Sequence, residues 1–189
     1  MNRALKNPRT KISNAALGLF IKKGIKGTTT KEIAKKAGIS EGTIYNYFRS
    51  KNDIAYHLFV QYMDMFRDKL ADGARNGSLP EEKLSGMILS FFEFAEREPQ
   101  AYAYIMMGHY TELEKMPFKK QKPKDLFVKV IAEGIREGKF RKAGKDLMAA
   151  HIIGMITRTI LFHKKGILNP PYEQLIEETK KSALRVLFK

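Results

Sequence analysis

Three features of the sequence predict an all-α protein of about nine helices. Apolar residues recur at helical spacing along most of the 189 residues, and the breaks between these runs fall on Gly and Pro. No segment alternates apolar and polar residues in the manner of a half-buried strand.

The first helix is expected over residues 9–23, where Ile12, Ala15, Ala16, Leu19 and Phe20 share a face and Gly24 ends the run. Residues 1–8 read as a basic, mostly disordered arm suited to phosphates. Thr29 is a good N-cap for the second helix, and Glu32, three positions on, completes a capping box. Ile33, Ala34 and Ala37 form its apolar stripe, Gly38 can take the left-handed conformation that stops it, and Ile39 is expected to be buried in the turn. Ser40 caps a third helix whose inward positions are Ile44 and Phe48, four apart. Glu41, Gly42, Thr43, Tyr45, Asn46 and Tyr47 are left pointing away from the core. A glycine inside a helix costs roughly 1 kcal/mol relative to alanine, so Gly42 suits a backbone that closely approaches a phosphate or base edge. Two short helices, a tight turn and a polar outward face make a helix-turn-helix DNA reader.

Charge agrees with that assignment. The chain holds 35 Lys and Arg against 20 Asp and Glu, a formal net of +15. Residues 1–51 carry twelve Lys or Arg but only Glu32 and Glu41 as acids, a net of +10. Solvated lysine-rich helices would explain the charge as well as DNA binding does; the motif decides between them.

A long helix is expected from Asn52 to Asp72, with Ile54, Leu58, Phe59, Tyr62, Met65, Phe66 and Leu70 on one face, followed by a break from Gly73 to Pro80. Helices are then expected over Pro80–Arg97, Pro99–Met107, Asp125–Glu137, Asp146–Lys164 and Pro171–Phe188, with Lys119–Lys124 as a polar connector. The helix Asp146–Lys164 is apolar nearly all round, from Leu147 and Met148 to Leu161 and Phe162, and so needs to bury two faces. With the last helix it is expected to form the four-helix seam of a two-fold homodimer, purely internal burial being the alternative.

The stretch Ile12–Gly24 followed by Thr28–Lys51, with its sequence Thr-Thr-Thr-Lys-Glu-Ile-Ala-Lys-Lys-Ala-Gly-Ile-Ser-Glu-Gly-Thr-Ile-Tyr-Asn-Tyr-Phe, resembles the DNA-binding domain of the TetR (tetracycline repressor) family. That resemblance implies a DNA-binding domain over residues 1–51 and a helical ligand-sensing and dimerisation domain over 52–189. It implies DNA contacts at Thr30, Lys31, Glu41, Gly42, Thr43, Tyr45, Tyr47 and Lys51. Lys31, Lys51, Thr30 and the two tyrosine hydroxyls suit phosphate oxygens, which position without reading sequence. Thr43 suits a base edge. Glu41 has two readings, acceptance from cytosine N4 or electrostatic support of the helix N-terminus. Without an Arg or Gln on the recognition helix, much of the specificity is expected from apolar contacts and DNA shape.

In the family, part of the second domain is hollow and binds an effector. Phe91, Tyr104, Met107, His109, Phe127, His151, Met155 and Arg158 are the candidate ligand residues, although aromatics and Met at such spacing equally form ordinary core. His151 and Arg158 lie seven apart on one face of a helix expected to be buried, so Arg158 needs an acid, a carbonyl or a ligand anion. Ligand, core and dimer interface all remain open for it.

The function expected is a ligand-responsive, sequence-specific transcriptional regulator, a repressor released from a palindromic operator by a small apolar or amphipathic effector. An activator, or an architectural DNA-binding protein without an effector, is the alternative. HExxH, GxSxG, P-loop and GxGxxG motifs are absent and the four histidines are scattered, so neither enzyme chemistry, a cofactor nor a metal site is expected. The chain lacks Cys, a signal-peptide core and a bilayer-spanning apolar run; a cytoplasmic protein with no membrane partner is expected.

Overall fold

The computed structural model describes residues 7–108 and 122–188. Among them the chain is all-helical, as the periodicity predicts. Its nine helices are α1 (Pro8–Lys23), α2 (Thr30–Ala37), α3 (Glu41–Tyr45), α4 (Lys51–Arg75), α5 (Pro80–Arg97), α6 (Pro99–Gly108), α7 (Pro123–Arg136), α8 (Lys145–Lys164) and α9 (Tyr172–Leu187). His109, residues 1–6 of the basic arm and residues 119–121 of the connector lie outside the described residues.

Local chemistry sets most boundaries. Asn7 caps α1 by accepting from the Arg9 N–H at 2.9 Å, with Pro8 in the first turn. Asn7 and Pro8 therefore belong to the helix start rather than to the arm. The capping box of α2 is present in both directions: the Glu32 N–H donates to Thr29 Oγ1 at 3.2 Å, and the Thr29 N–H donates to Glu32 Oε2 at 2.9 Å. Gly38 closes α2 in the left-handed conformation at φ 68°.

The described residues of Met1–Met63 and Glu98–Phe118 form one compact unit, and those of Asp64–Arg97 and Lys119–Lys189 form another. The boundary expected after residue 51 thus falls inside the first unit, which takes in the first half of α4 and also α6. Its core joins Ile12, Ala16 and Phe20 of α1 to Ile33 of α2, Ile44 of α3, Phe48, Ile54 and Leu58. Tyr104 of α6 is fully buried there. Its hydroxyl donates to the Ala55 carbonyl at 2.9 Å, and its ring stacks on Phe20 at 6.3 Å. Burial pushes the Tyr104 phenol above its ordinary range, so it stays a neutral donor.

In the second unit, Phe66 of α4 sits against Phe91 and Phe94 of α5 at 4.7 and 4.8 Å, and Phe91 meets Phe127 of α7 edge-on. Lys69 pairs with Glu93 and Lys83 with Glu133 along the same helices. Gly73 does not break α4. The helix continues to Arg75, and Gly73 lies so close to Gly86 of α5 that a Cβ on Gly86 would stand 2.1 Å from the Gly73 carbonyl oxygen. Glycine is required there for close helix packing. Met65 is a second correction: it is exposed, and Met63 takes the inward position.

The helix α8 is also one-sided. Met148, Ala149, Ile152, Ile156 and Ile160 are buried, whereas Leu147, Ala150, His151, Gly154, Arg158 and Leu161 are exposed. Internal burial of both faces does not occur among the described residues.

Candidate nucleic-acid interface

The outward face of the first unit is built on a small, firmly held core. Ile44 is fully buried and Phe48 nearly so, which turns α3 by its i, i+4 spacing so that Gly42, Tyr45, Asn46 and Tyr47 face out. Tyr45 is 55% and Tyr47 40% exposed. The helix proper ends at Tyr45, earlier than its apolar pair suggests, yet the Phe48 N–H still reaches the Ile44 carbonyl at 3.0 Å and keeps the face continuous. Gly42 has open space around it: an added Cβ would find only Ser40 Oγ, at 4.0 Å. Nothing inside this unit accounts for a glycine there.

The expected contact residues fall into three groups. Gly42, Tyr45, Tyr47 and Lys31 are exposed and close together in the chain order of α2 and α3. Thr30, Glu41 and Thr43 are already hydrogen-bonded. The Thr30 hydroxyl donates to Glu41 Oε1 at 2.5 Å across the turn, and Thr43 Oγ1 shares a 2.7 Å hydrogen bond with Ser40 Oγ. Lys51 is half-buried, and its ammonium donates to the carbonyls of Thr28 at 2.6 Å and Lys26 at 3.3 Å. It ties the α1–α2 turn to the start of α4. Ile39, expected to be buried in the turn, is only half-buried.

Arg9 belongs beside this set, and sequence reasoning missed it. Its guanidinium lies 5.4 Å from the centroid of the Phe48 ring and donates to His57 Nδ1 at 3.4 Å. Burial, and then the Arg9 charge, hold the His57 pKa below its ordinary value, consistent with a neutral acceptor. Only the meeting of α1 with α4 reveals the arrangement; a lone Arg at a helix start carries no such signal. Lys11, Lys22, Lys26, Lys35, Lys36 and Arg49 are further exposed cations of the same unit.

The described candidate ligand residues are divided between the two units. Tyr104 and Met107 belong to the first unit, while Phe91, Phe127, His151, Met155 and Arg158 belong to the second. Phe91 and Phe127 are buried together. The buried Arg158 expected from the sequence is corrected: Arg158 and His151 stand on the exposed stripe of α8, and Arg158 lies over the ring of Phe162 at 5.7 Å. An exposed guanidinium needs no buried counter-ion. No group of three or more potential metal ligands occurs among the described residues, and none of their helices is long and apolar enough to cross a membrane.

Comparison with known proteins bears on the whole arrangement. Residues 12–58 match the model of the bacterial regulatory proteins of the tetR family. Over 139 residues the chain is 26% identical to the HTH-type transcriptional repressor KstR2 of Mycolicibacterium smegmatis, covering 70% of this chain and 67% of that protein. It is 26% identical over 159 residues to the fatty acid metabolism regulator protein of Bacillus subtilis, covering 79% of each. The fold is shared with the transcriptional regulator FadR of Bacillus subtilis, solved in complex with stearoyl-CoA. That match has a TM-score of 0.73 at 21% identity and covers 94% of this chain and 98% of that one. The matched segment spans most of α1, the helix-turn-helix and the start of α4, so this part of the chain is similar to the DNA-binding segment of the tetR-family regulatory proteins.

Proposed function

We propose that this chain is a ligand-responsive, sequence-specific DNA-binding transcriptional regulator, a repressor that leaves a palindromic operator when a small apolar or amphipathic effector binds. The observation that carries the DNA reading is the outward face of α3, where Gly42, Tyr45 and Tyr47 stand exposed over the buried pair Ile44 and Phe48. A basic surface surrounds it, suited to neutralising phosphates. In this reading Tyr45, Tyr47 and Lys31 hold phosphate oxygens and Gly42 lets the backbone approach the groove. Thr43 and Glu41 face base edges, with Thr30 orienting the Glu41 carboxylate. Lys51 acts mainly by holding the turn.

Two such heads, one from each subunit of a two-fold dimer, would meet successive major grooves roughly 34–36 Å apart. An effector that binds better to a conformation with a different head spacing would lower operator affinity by population shift. Similarity to regulators of fatty acid and ketosteroid metabolism supports an effector with a long apolar body, and a CoA thioester of a long-chain acid is the first candidate. Phe91 and Phe127 are its proposed apolar wall. His151 and Arg158, on the outer stripe of α8, are assigned instead to contact between subunits.

Footprinting the purified protein across its own upstream region tests the reading. A protected inverted repeat, released by long-chain acyl-CoA and not by free CoA, is the expected result. Equal affinity for that region and random DNA at matched salt would indicate an architectural protein, and a reporter that falls silent on deletion would indicate an activator.

A further inference from the structure

Arg9, Phe48 and His57 form a triangle where α1, the turn after α3 and α4 come together, all within the first unit. The Arg9 guanidinium lies over the Phe48 ring, and the His57 ring tilts against the same phenyl group at 5.7 Å. The third side is the hydrogen bond from Arg9 to His57 Nδ1 at 3.4 Å. Phe48 is buried, His57 half-buried and Arg9 exposed, so the cation forms the outer layer.

A guanidinium offers only N–H donors and has no acceptor. It can face Nδ1 only while that nitrogen keeps its lone pair, which places the ring's single proton on Nε2. A proton on Nδ1 would set two cations, each a donor, against one another. The contact and the charged imidazole therefore exclude each other. Two charges act on the ring, Arg9 from α1 and Asp53 one turn earlier on α4. Burial and then Arg9 hold the His57 pKa down. Asp53, whose Oδ2 already accepts the Arg49 N–H at 2.8 Å, opposes them. Phe48, packed on the ring from the α3 side, brings no charge.

The place of this triangle ties the exclusion to DNA. Phe48 is flanked in the chain by Tyr47 and Arg49, both exposed, and Arg9 lies over its ring. A phosphate arriving there attracts the guanidinium away from Nδ1. Loss of the neighbouring cation and the phosphate's own charge both favour a charged imidazole.

We propose that His57 takes up a proton when the first unit binds duplex DNA, as Arg9 moves from the imidazole to a phosphate oxygen. The proposal rests on the DNA reading above and adds a contact, Arg9, and the group that controls it, His57. The proton passes from solvent to Nδ1. The free protein has the lower His57 pKa and the complex the higher one. Between the two values binding absorbs up to one proton, so affinity rises as pH falls, by up to about tenfold per pH unit. Above both values the ring is neutral in both states, and below both it is charged in both; affinity is then flat.

Fluorescence anisotropy with a random-sequence duplex at fixed salt, from roughly pH 8 to 5.5, reads this coupling. The wild type should tighten about three- to tenfold over that range. His57→Asn keeps an acceptor for Arg9 and cannot ionise, so it should lose most of the gain. Calorimetry in two buffers of different ionisation enthalpy should count more protons taken up by the wild type than by His57→Asn. In the free protein, NMR should show the His57 pKa moving up in Arg9→Met. An equal gain in His57→Asn and wild type, or equal proton uptake, overturns the proposal and leaves DNA binding standing. A His57 pKa unmoved by Arg9→Met overturns it whatever the DNA result. A chain that binds no duplex at low salt and either pH overturns the DNA reading and this proposal together.

Discussion

Thr30 and Glu41 begin two successive helices and are joined across the turn by a 2.5 Å hydrogen bond from the threonine hydroxyl to the carboxylate. Both are expected DNA contacts, and they are coupled before any DNA arrives. Glu41 is also a negative charge on a face that must meet phosphates. Glu41→Gln keeps an acceptor for Thr30 and removes that charge. Affinity for random duplex should rise several-fold at low salt, while the ratio of operator to random affinity falls. Fluorescence anisotropy with both DNAs at two salt concentrations checks this, and an unchanged ratio would deny Glu41 any part in base reading.

Lys51 separates a structural cation from a DNA-binding one. Its ammonium already serves the Thr28 and Lys26 carbonyls. Lys51→Met should cost about 1–3 kcal/mol of stability in urea unfolding, and DNA affinity should fall with almost no change in salt slope. Tyr47→Ala should leave stability nearly unchanged and weaken operator and random DNA alike. A salt slope reduced by about one charge in the Lys51 variant would place that ammonium on a phosphate instead.

Gly42→Ala is expected to fold as well as the wild type or better by up to about 1 kcal/mol, because no atom of this unit obstructs the new methyl group. Operator affinity should nevertheless drop at least tenfold. Thermal melting and anisotropy on one preparation give the two opposite signs. Equal affinity would remove the close backbone approach assigned to α3.

Gly86→Ala should behave in the reverse way. Its Cβ would stand 2.1 Å from the Gly73 carbonyl oxygen, and neither backbone can swing aside like a flexible side chain. A loss of about 1–3 kcal/mol or more is expected by urea unfolding. A variant as stable as the wild type would mean that α4 and α5 are not in backbone contact there.

Acid should unfold the first unit in part through Glu32. The Lys23 ammonium beside it, and then the Thr29 N–H and hydroxyl, hold its carboxyl down from 4.5 to about 2. A depressed carboxylate contributes stability above its unfolded pKa, and that contribution is lost as pH falls from 4.5 toward 2. Glu32→Gln should therefore lower stability at neutral pH and flatten the melting-temperature profile across that window. A profile parallel to the wild type would show that the carboxylate contributes nothing to the acid limb.

Capping and periodicity made most of the fold legible. The Thr29–Glu32 box, the Gly38 stop, the inward pair Ile44 and Phe48, and the glycine breaks at 138 and 166 all depend on residues within four positions of one another. Such signals survive without knowledge of the rest of the chain. The helix-turn-helix and its exposed tyrosines were readable for the same reason.

Tertiary packing alone decided the remainder. Lys51 reaches a carbonyl 23 positions away, Gly73 meets Gly86 on another helix, and Arg9 finds Phe48 and His57. None of these leaves a local pattern. Helix α8 shows the limit most clearly, since apolar residues nearly all round cannot say which side packs inward. Burial of Ile152, Ile156 and Ile160 made that choice, turning Arg158 out to solvent and leaving Gly154 at the centre of an uncovered face. A sequence specifies caps through neighbours in the chain, but a helix face acquires its direction only from what lies against it.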